Sequence, residues 1–311
     1  MSWLDFVKRD PVPWLLDPAN PSARLLTLRD IFRRPETALA REYAAVLAWE
    51  PLRALIAQAH PVNFWGRADN PTFGGPAGTL GTLYALAQLG IPAFPQAQEA
   101  CENLLRHGRL PDGRFSPADS PSPPWLCYTG MALQILWHFG FGGDPRVRSA
   151  QAALVQAVLQ HPRQLECPLA GGECPWGMVK ALAGLLNTSP EQQTAEVEAA
   201  IEALAGRLLA HTFDFTGRDA TWLDLYFPRY YEADLVELCH VLAQSPGRDN
   251  PRFRRLARQM VELQTEEGRW VQARPASRNV LPEQRNRPSR WLTFEAVHTL
   301  ILIYGGNAYA P

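Results

Sequence analysis

The sequence predicts an all-α protein of about six helical hairpins closed into a ring, in one domain over residues 1–311. Three observations carry that prediction. Apolar helical stretches that end at glycine alternate with more amphipathic ones, at a period of roughly 45 to 60 residues. No convincing run of strand-type alternation interrupts them. No linker divides the chain into separate units, and an open stack of hairpins would leave apolar faces at both ends, so closure is favoured.

Residues 1–22 form a proline-punctuated, extended lead-in. Asn20 or Ser22 then caps a helix through Leu25, Leu26, Leu28 and Ile31, and a second helix is expected from Arg41 to Ala59. Leu80–Gly90 is an apolar helix followed by an amphipathic one over Gln96–Arg106. The same alternation recurs at Thr129–Gly140 with Arg146–Leu159, at Trp176–Leu186 with Glu191–His211, and at Tyr231–Gln244 with Arg252–Gln264. Trp291–Tyr304 opens a last unit that ends at Gly305 and Gly306. A helix apolar on most faces belongs inside, and its amphipathic partner outside. Gln264 to Trp270 places a glutamine, a turn glycine and a tryptophan after an outer helix, and Arg109–Phe115 and Gln58–Trp65 read as decayed copies. Such a glutamine can cap a helix end while the aromatic ring packs across the turn.

Hydrophobic residues make up 46% and charged residues 20% of the chain, the composition of a globular protein with a full core. A net charge of −1 provides no basic field for nucleic acid or an anionic membrane. Uncharged runs such as Met131–Gly143 are too short to span a bilayer. The N-terminal stretch carries acids and no cleavage site, which argues against a signal peptide. Five cysteines without a secretory signal suit a reducing cytoplasm, where they are free thiols or metal ligands.

The stretch from Cys167 to Lys180 is the clearest pointer to a site. Cys174 directly precedes an inner helix, Cys167 lies in the loop before it, and Cys127 precedes the previous inner helix. Three thiolates at one rim of a ring suit zinc, and the alternative is packing of small side chains at a crowded helix start. Asp234 and Glu237 share one face of the Tyr231 helix, with Tyr230 or Tyr231 one turn before. A carboxyl facing the ring's cavity would have a raised pKa and could act as acid or base, whereas a first-turn carboxylate also simply suits the helix dipole. Lys180 can pair with Asp234 or hold an anionic end. Trp125, Tyr128, Trp176, Tyr231 and Trp291 lie near inner-helix starts and are candidates to line a hydrophobic cavity, or else plain packing. Arg290 ends a small basic loop, Arg285–Arg290, that could meet a polar head group. Cys239-His240 read as core packing, and His60, His107, His138, His161 and His211 as surface or turn residues.

Taken together, Pro13-Trp-Leu-Leu, Leu26-Thr-Leu-Arg-Asp30, Gly143-Asp-Pro-Arg-Val147, Cys174-Pro-Trp-Gly-Met-Val-Lys180, Phe227-Pro228 and Ser289-Arg-Trp-Leu-Thr293 resemble the terpenoid cyclase and protein prenyltransferase superfamily. They are closest to a bacterial prenyltransferase-like or squalene-cyclase-like branch, and Gln264–Trp270 resembles the superfamily's QW repeat. The resemblance implies an (α/α)6 toroid, and an enzyme acting on an isoprenoid or lipid-like substrate in the central cavity. It implies Asp234 as acid, Tyr231 and Trp176 as cavity lining, and Lys180 or Arg290 at a polar end. The Asp-x-Asp-Asp acid motif and the aspartate-rich magnesium motifs of that superfamily are missing here. Glu173-Cys174 and His298 only loosely match the zinc ligands of the prenyltransferases, so a non-catalytic toroid that binds a ligand or peptide is the rival reading.

Overall fold

The computed structural model describes residues 2–117, 125–167, 171–275 and 283–305. Residues 168–170 of the Cys167–Lys180 stretch, and the expected terminus at Gly306, lie outside them. Thirteen α-helices are present among the described residues: α1 (Val12–Leu15), α2 (Pro21–Leu26), α3 (Ala40–Leu47), α4 (Glu50–Ala57), α5 (Thr79–Gln88), α6 (Pro95–His107), α7 (Leu126–His138), α8 (Pro145–Gln160), α9 (Pro175–Leu186), α10 (Ala195–Ala210), α11 (Leu235–Ala243), α12 (Pro251–Glu262) and α13 (Arg290–Tyr304). Two short strands, β1 (Glu166–Cys167) and β2 (Gly172–Glu173), pair antiparallel in front of α9.

The helices form two concentric rings. α5 packs on α7, α7 on α9, α9 on α11, α11 on α13 and α13 on α2. The circle closes where the Ser22 hydroxyl donates to the Leu89 carbonyl (2.7 Å) and Trp291 Nε1 donates to the same hydroxyl (2.9 Å). All eight residues Thr79–Leu86 of α5 are buried, as the continuous apolar stretch predicts. The outer helices α6, α8, α10 and α12 bury one stripe each, for example Phe253, Leu256, Ala257 and Met260 of α12. A 3-10 turn at Trp3–Phe6, together with α1, fills the outer place against α13.

One device recurs at three of the joins between an outer helix and the next inner one. The backbone N–H of Trp65, Phe115 and Trp270 donates to the hydroxyl of Thr79, Thr129 and Thr293 at 2.9, 3.1 and 3.0 Å. Trp65 Nε1 reaches back to Leu55 O and Trp270 Nε1 to Met260 O, so the indole ties the two helices through the turn. Gln264 Nε2 caps α12 at Val261 O (2.8 Å) and also holds Phe6 O (3.0 Å).

Several boundaries differ from expectation. The lead-in expected to be extended over residues 1–22 holds the 3-10 turn Trp3–Phe6, α1 and the start of α2, and the helix expected from Glu191 starts at Ala195, capped by the Thr194 hydroxyl. The helix expected over Arg41–Ala59 breaks between α3 and α4, with Trp49 extended, because Pro51 fits only the first turn of a helix. The inner helix expected from Tyr231 starts at Leu235 instead, where the Asp234 carboxylate caps it by accepting from Glu237 N (3.0 Å).

Candidate active site in the axial cavity

Charged side chains from four inner elements meet on the ring's axis. Lys180 of α9 is fully buried, and its Nζ sits 2.7 Å from both Glu237 carboxylate oxygens and 3.2 Å from the Tyr84 hydroxyl. Arg229, in the segment before α11, clasps Asp234 through Nε and one terminal nitrogen, both at 2.9 Å. Its other terminal nitrogen reaches Glu295 of α13, at 3.0 Å from Oε1 and 2.7 Å from Oε2. Gln134 of α7 donates to Lys180 O, and Gln88 of α5 donates to Arg229 O. Each buried charge thereby has an opposite charge beside it, which a low-dielectric interior demands.

Above this ionic layer lies a cavity of about 400 Å³, lined at its base by Tyr84, Arg229, Glu237 and Glu295. It runs toward the C-terminal ends of the inner helices, where Gln88, His138, Asn187 and Gln244 lie. Leu26, Ala87, Ala183, Leu186, Val241 and Phe294 form an apolar wall. Arg29 and Asp30, paired with one another at 2.7 Å, also line it.

Burial sets the proton chemistry of the layer. It pushes the Tyr84 phenol well up and pulls Lys180 down, with Glu237 opposing the second effect. Burial also works against charge on Arg229, but Asp234, Glu295 and Glu237 override it and hold the guanidinium charged. The Glu295 carboxyl is raised by burial to about 7, with Arg229 only partly offsetting the shift. Its Oε2 lies near Arg229 yet accepts no hydrogen bond among the described residues, although the side chain is only 13% exposed. His240 Nε2 and His298 Nδ1 are 3.1 Å apart, and burial lowers both imidazoles, so the pair is neutral.

Of the residues expected at the site, Lys180, Asp234 and Glu237 are brought together. Asp234 does not have the free carboxyl an acid needs: it accepts from Tyr226 N, Glu237 N and two Arg229 nitrogens. Trp125, Tyr128, Trp176 and Tyr231 gather at the opposite rim and do not line the cavity. There Trp125 meets Tyr128, Tyr128 meets Tyr230, and Tyr231 sits against Trp176, with ring centroids 5.7 to 6.4 Å apart. Trp291 stacks on Phe227 within the wall, and Arg290 covers the Trp14 ring while pairing with Asp17 at 2.7 Å.

Cys127, Cys167 and Cys174 do approach each other at that rim, and the Cys174 sulfur caps α9 by accepting from Gly177 N. Among the described residues no group of three His, Cys, Asp or Glu that could hold a metal ion is found. Burial pushes the Cys127 thiol, without a metal, up to about 12.

Arg229, Glu295, Tyr84 and the His240–His298 pair were not singled out from the sequence for this site. The signal for Glu295 is a lone carboxyl inside an apolar inner helix, Trp-Leu-Thr-Phe-Glu-Ala-Val. His138, expected at the surface, is largely buried at the cavity, bonded at 2.7 Å to Ile91 O.

No family model and no curated protein matches the sequence. Among solved structures, the chain resembles the type II terpene cyclase MstE from Scytonema. With bound merosterolic acid A, that enzyme matches at 15% identity and a TM-score of 0.34, covering 86% of this chain and 99% of the other. With geranylgeranyl dihydroxybenzoate, the values are 13%, 0.35, 86% and 98%. Without ligand they are 14%, 0.35, 83% and 97%. The likeness is one of fold. At this level of likeness, the chemistry of its own cavity has to be read from its own side chains.

Proposed function

We propose that the protein is an enzyme that binds a small organic molecule in the axial cavity and exchanges a proton with it through Glu295. The observation that carries this reading is the Glu295 carboxyl. It lines the cavity, one oxygen accepts no hydrogen bond, and its pKa of about 7 populates both proton states at neutral pH. Arg229 orients Glu295, and Asp234 orients Arg229, so the two are positioning residues. Lys180, Glu237 and Tyr84 make the polar floor. Leu26, Ala87, Leu186, Val241 and Phe294 give the largely polar lining an apolar side, where the hydrocarbon part of an isoprenoid or lipid-like substrate could lie, while the ionic floor calls for a polar group at its inner end.

A second reading, a toroid that binds its ligand without reaction, is favoured by the pairing of the other carboxylates in the layer. Mass spectrometry of small molecules extracted from the purified protein, followed by incubation with that compound, separates the two. Wild type should convert the compound, and Glu295→Gln should retain it unconverted with a wild-type circular dichroism spectrum. Equal conversion by Glu295→Gln sinks the acid–base role. Retention without conversion by both proteins establishes the binding-only toroid.

A further inference from the structure

The charges of the ionic layer do not balance. Asp234, Glu237 and Glu295 bring three carboxylates against two cations, Lys180 and Arg229. Arg29 and Asp30 at the cavity cancel one another. The neighbouring groups do not make up the difference: His240 of α11 and His298 of α13 are held neutral by burial, and the Tyr84 phenol keeps its proton. The layer is short of one positive charge, and the carboxylate left under-compensated is Glu295, since Arg229 already serves Asp234 with two nitrogens.

We propose that the axial cavity takes an amphipathic molecule ending in a primary ammonium group, seated against the Glu295 carboxylate at the cavity base, with its hydrocarbon body toward Leu186 and Leu26. This rests on the reading of the cavity as a ligand site and names the class of ligand. An ammonium supplies what the layer lacks, a unit of positive charge beside a carboxylate that shares its one guanidinium with Asp234. An anionic end would enter a layer already in excess of negative charge, where both nearby guanidiniums are committed to carboxylates. A neutral alcohol would leave the missing charge unsupplied. As part of the proposed enzyme, the Glu295 carboxylate would accept one ammonium proton, releasing the neutral amine as the reactive form.

The seat has a built-in competitor, the proton. Below the Glu295 pKa of about 7, the ammonium has to displace it, so affinity should fall about tenfold per pH unit, with release approaching one proton per ligand. Above that pH, affinity should level off. Arg229, Asp234 and Glu237 act on Glu295 from the neighbouring segment and helix, and His240, Arg29 and Asp30 line the same cavity.

Isothermal titration calorimetry of the full chain with n-hexylammonium, 1-hexanol and hexanoate at pH 6, 7 and 8 tests this. Hexylammonium should bind at least tenfold tighter than the other two at pH 8 and weaken about tenfold between pH 8 and 6. Glu295→Gln should erase that preference, and Ala183→Trp, which fills the cavity wall, should abolish binding. Binding of hexanol or hexanoate as tight as hexylammonium overturns the ammonium class while leaving the cavity a ligand site. No binding of any probe to folded wild type overturns both. Should Glu295→Gln fail to fold, the wild-type pH dependence decides, and a flat profile refutes the seat.

Discussion

Lys180 and Glu237 show how unequal the consequences of a buried ion pair are. Removing one partner leaves an uncompensated charge in a low-dielectric interior, whereas removing both leaves none. Lys180→Met should therefore destabilise the fold by about 3–5 kcal/mol, and combining it with Glu237→Leu should restore much of that loss. Chemical denaturation of the two single variants and the double variant checks this, and additive losses would contradict it. Glu295 affects stability with a definite sign. Its folded pKa of about 7 lies above the ordinary 4.5, so the native state binds the extra proton between those values. Stability should then fall as pH rises from about 4.5 to 7, by on the order of 3 kcal/mol at most, and stay level above. Glu283, also raised by burial to about 7, adds a slope of the same sign, so the informative quantity is the difference between wild type and Glu295→Gln. Melting curves at pH 5, 6, 7 and 8 should show a flatter decline for the variant. Parallel profiles would place the Glu295 pKa elsewhere.

At the scale of elements, the closest contact in the ring is between α7 and α9. A Cβ on Gly130 would stand 2.3 Å from the Lys180 carbonyl, and one on Gly184 would stand 2.8 Å from Gly130 O. Two glycines on facing helices let the backbones touch, which brings Gln134 within reach of Lys180 O and sets Lys180 on the axis. Helix propensity alone would make Gly130→Ala stabilising by up to about 1 kcal/mol. The backbone contact reverses the sign, and a loss of about 1–3 kcal/mol is expected in thermal or urea unfolding. A gain would mean that the helices can separate at no cost. The alternation of inner and outer helices was legible because hydrophobic periodicity encodes burial directly. The start of α11 was not, because residues 226–234 are held by tertiary partners, such as Gln272 on Phe227 and Gln88 on Arg229, and local propensity does not report those. Asp234 and Glu237 were legible as a pair at helical spacing. Arg229, five residues before Asp234 in a non-helical segment, has no spacing rule to announce it. The sequence also placed aromatic rings at the starts of inner helices without revealing which end of the ring would open. The rings pack on one another and occupy that rim, leaving the cavity at the other.

Across the whole molecule, closure couples regions far apart in sequence. Trp3 is fully buried with its turn against α13, Lys8 N donates to Gln264 Oε1, and the Trp291–Ser22–Leu89 chain of hydrogen bonds ties α13 through α2 to the end of α5. In an open solenoid, weakening one end frays the nearest repeat, since each unit leans only on its neighbours. In a closed ring, every inner helix has two inner neighbours, so a loss at the junction is felt on both sides. Trp3→Ala should cost about 3–5 kcal/mol from the cavity it leaves. Its effect should extend past α13 into α2 and α5 as one cooperative unit. Hydrogen exchange of wild type and Trp3→Ala under native conditions reads this directly, helix by helix. Faster exchange in α13, α2 and α5 together is the outcome closure predicts. Acceleration confined to α13 would mean that the ring is only apposed at this junction, not energetically closed.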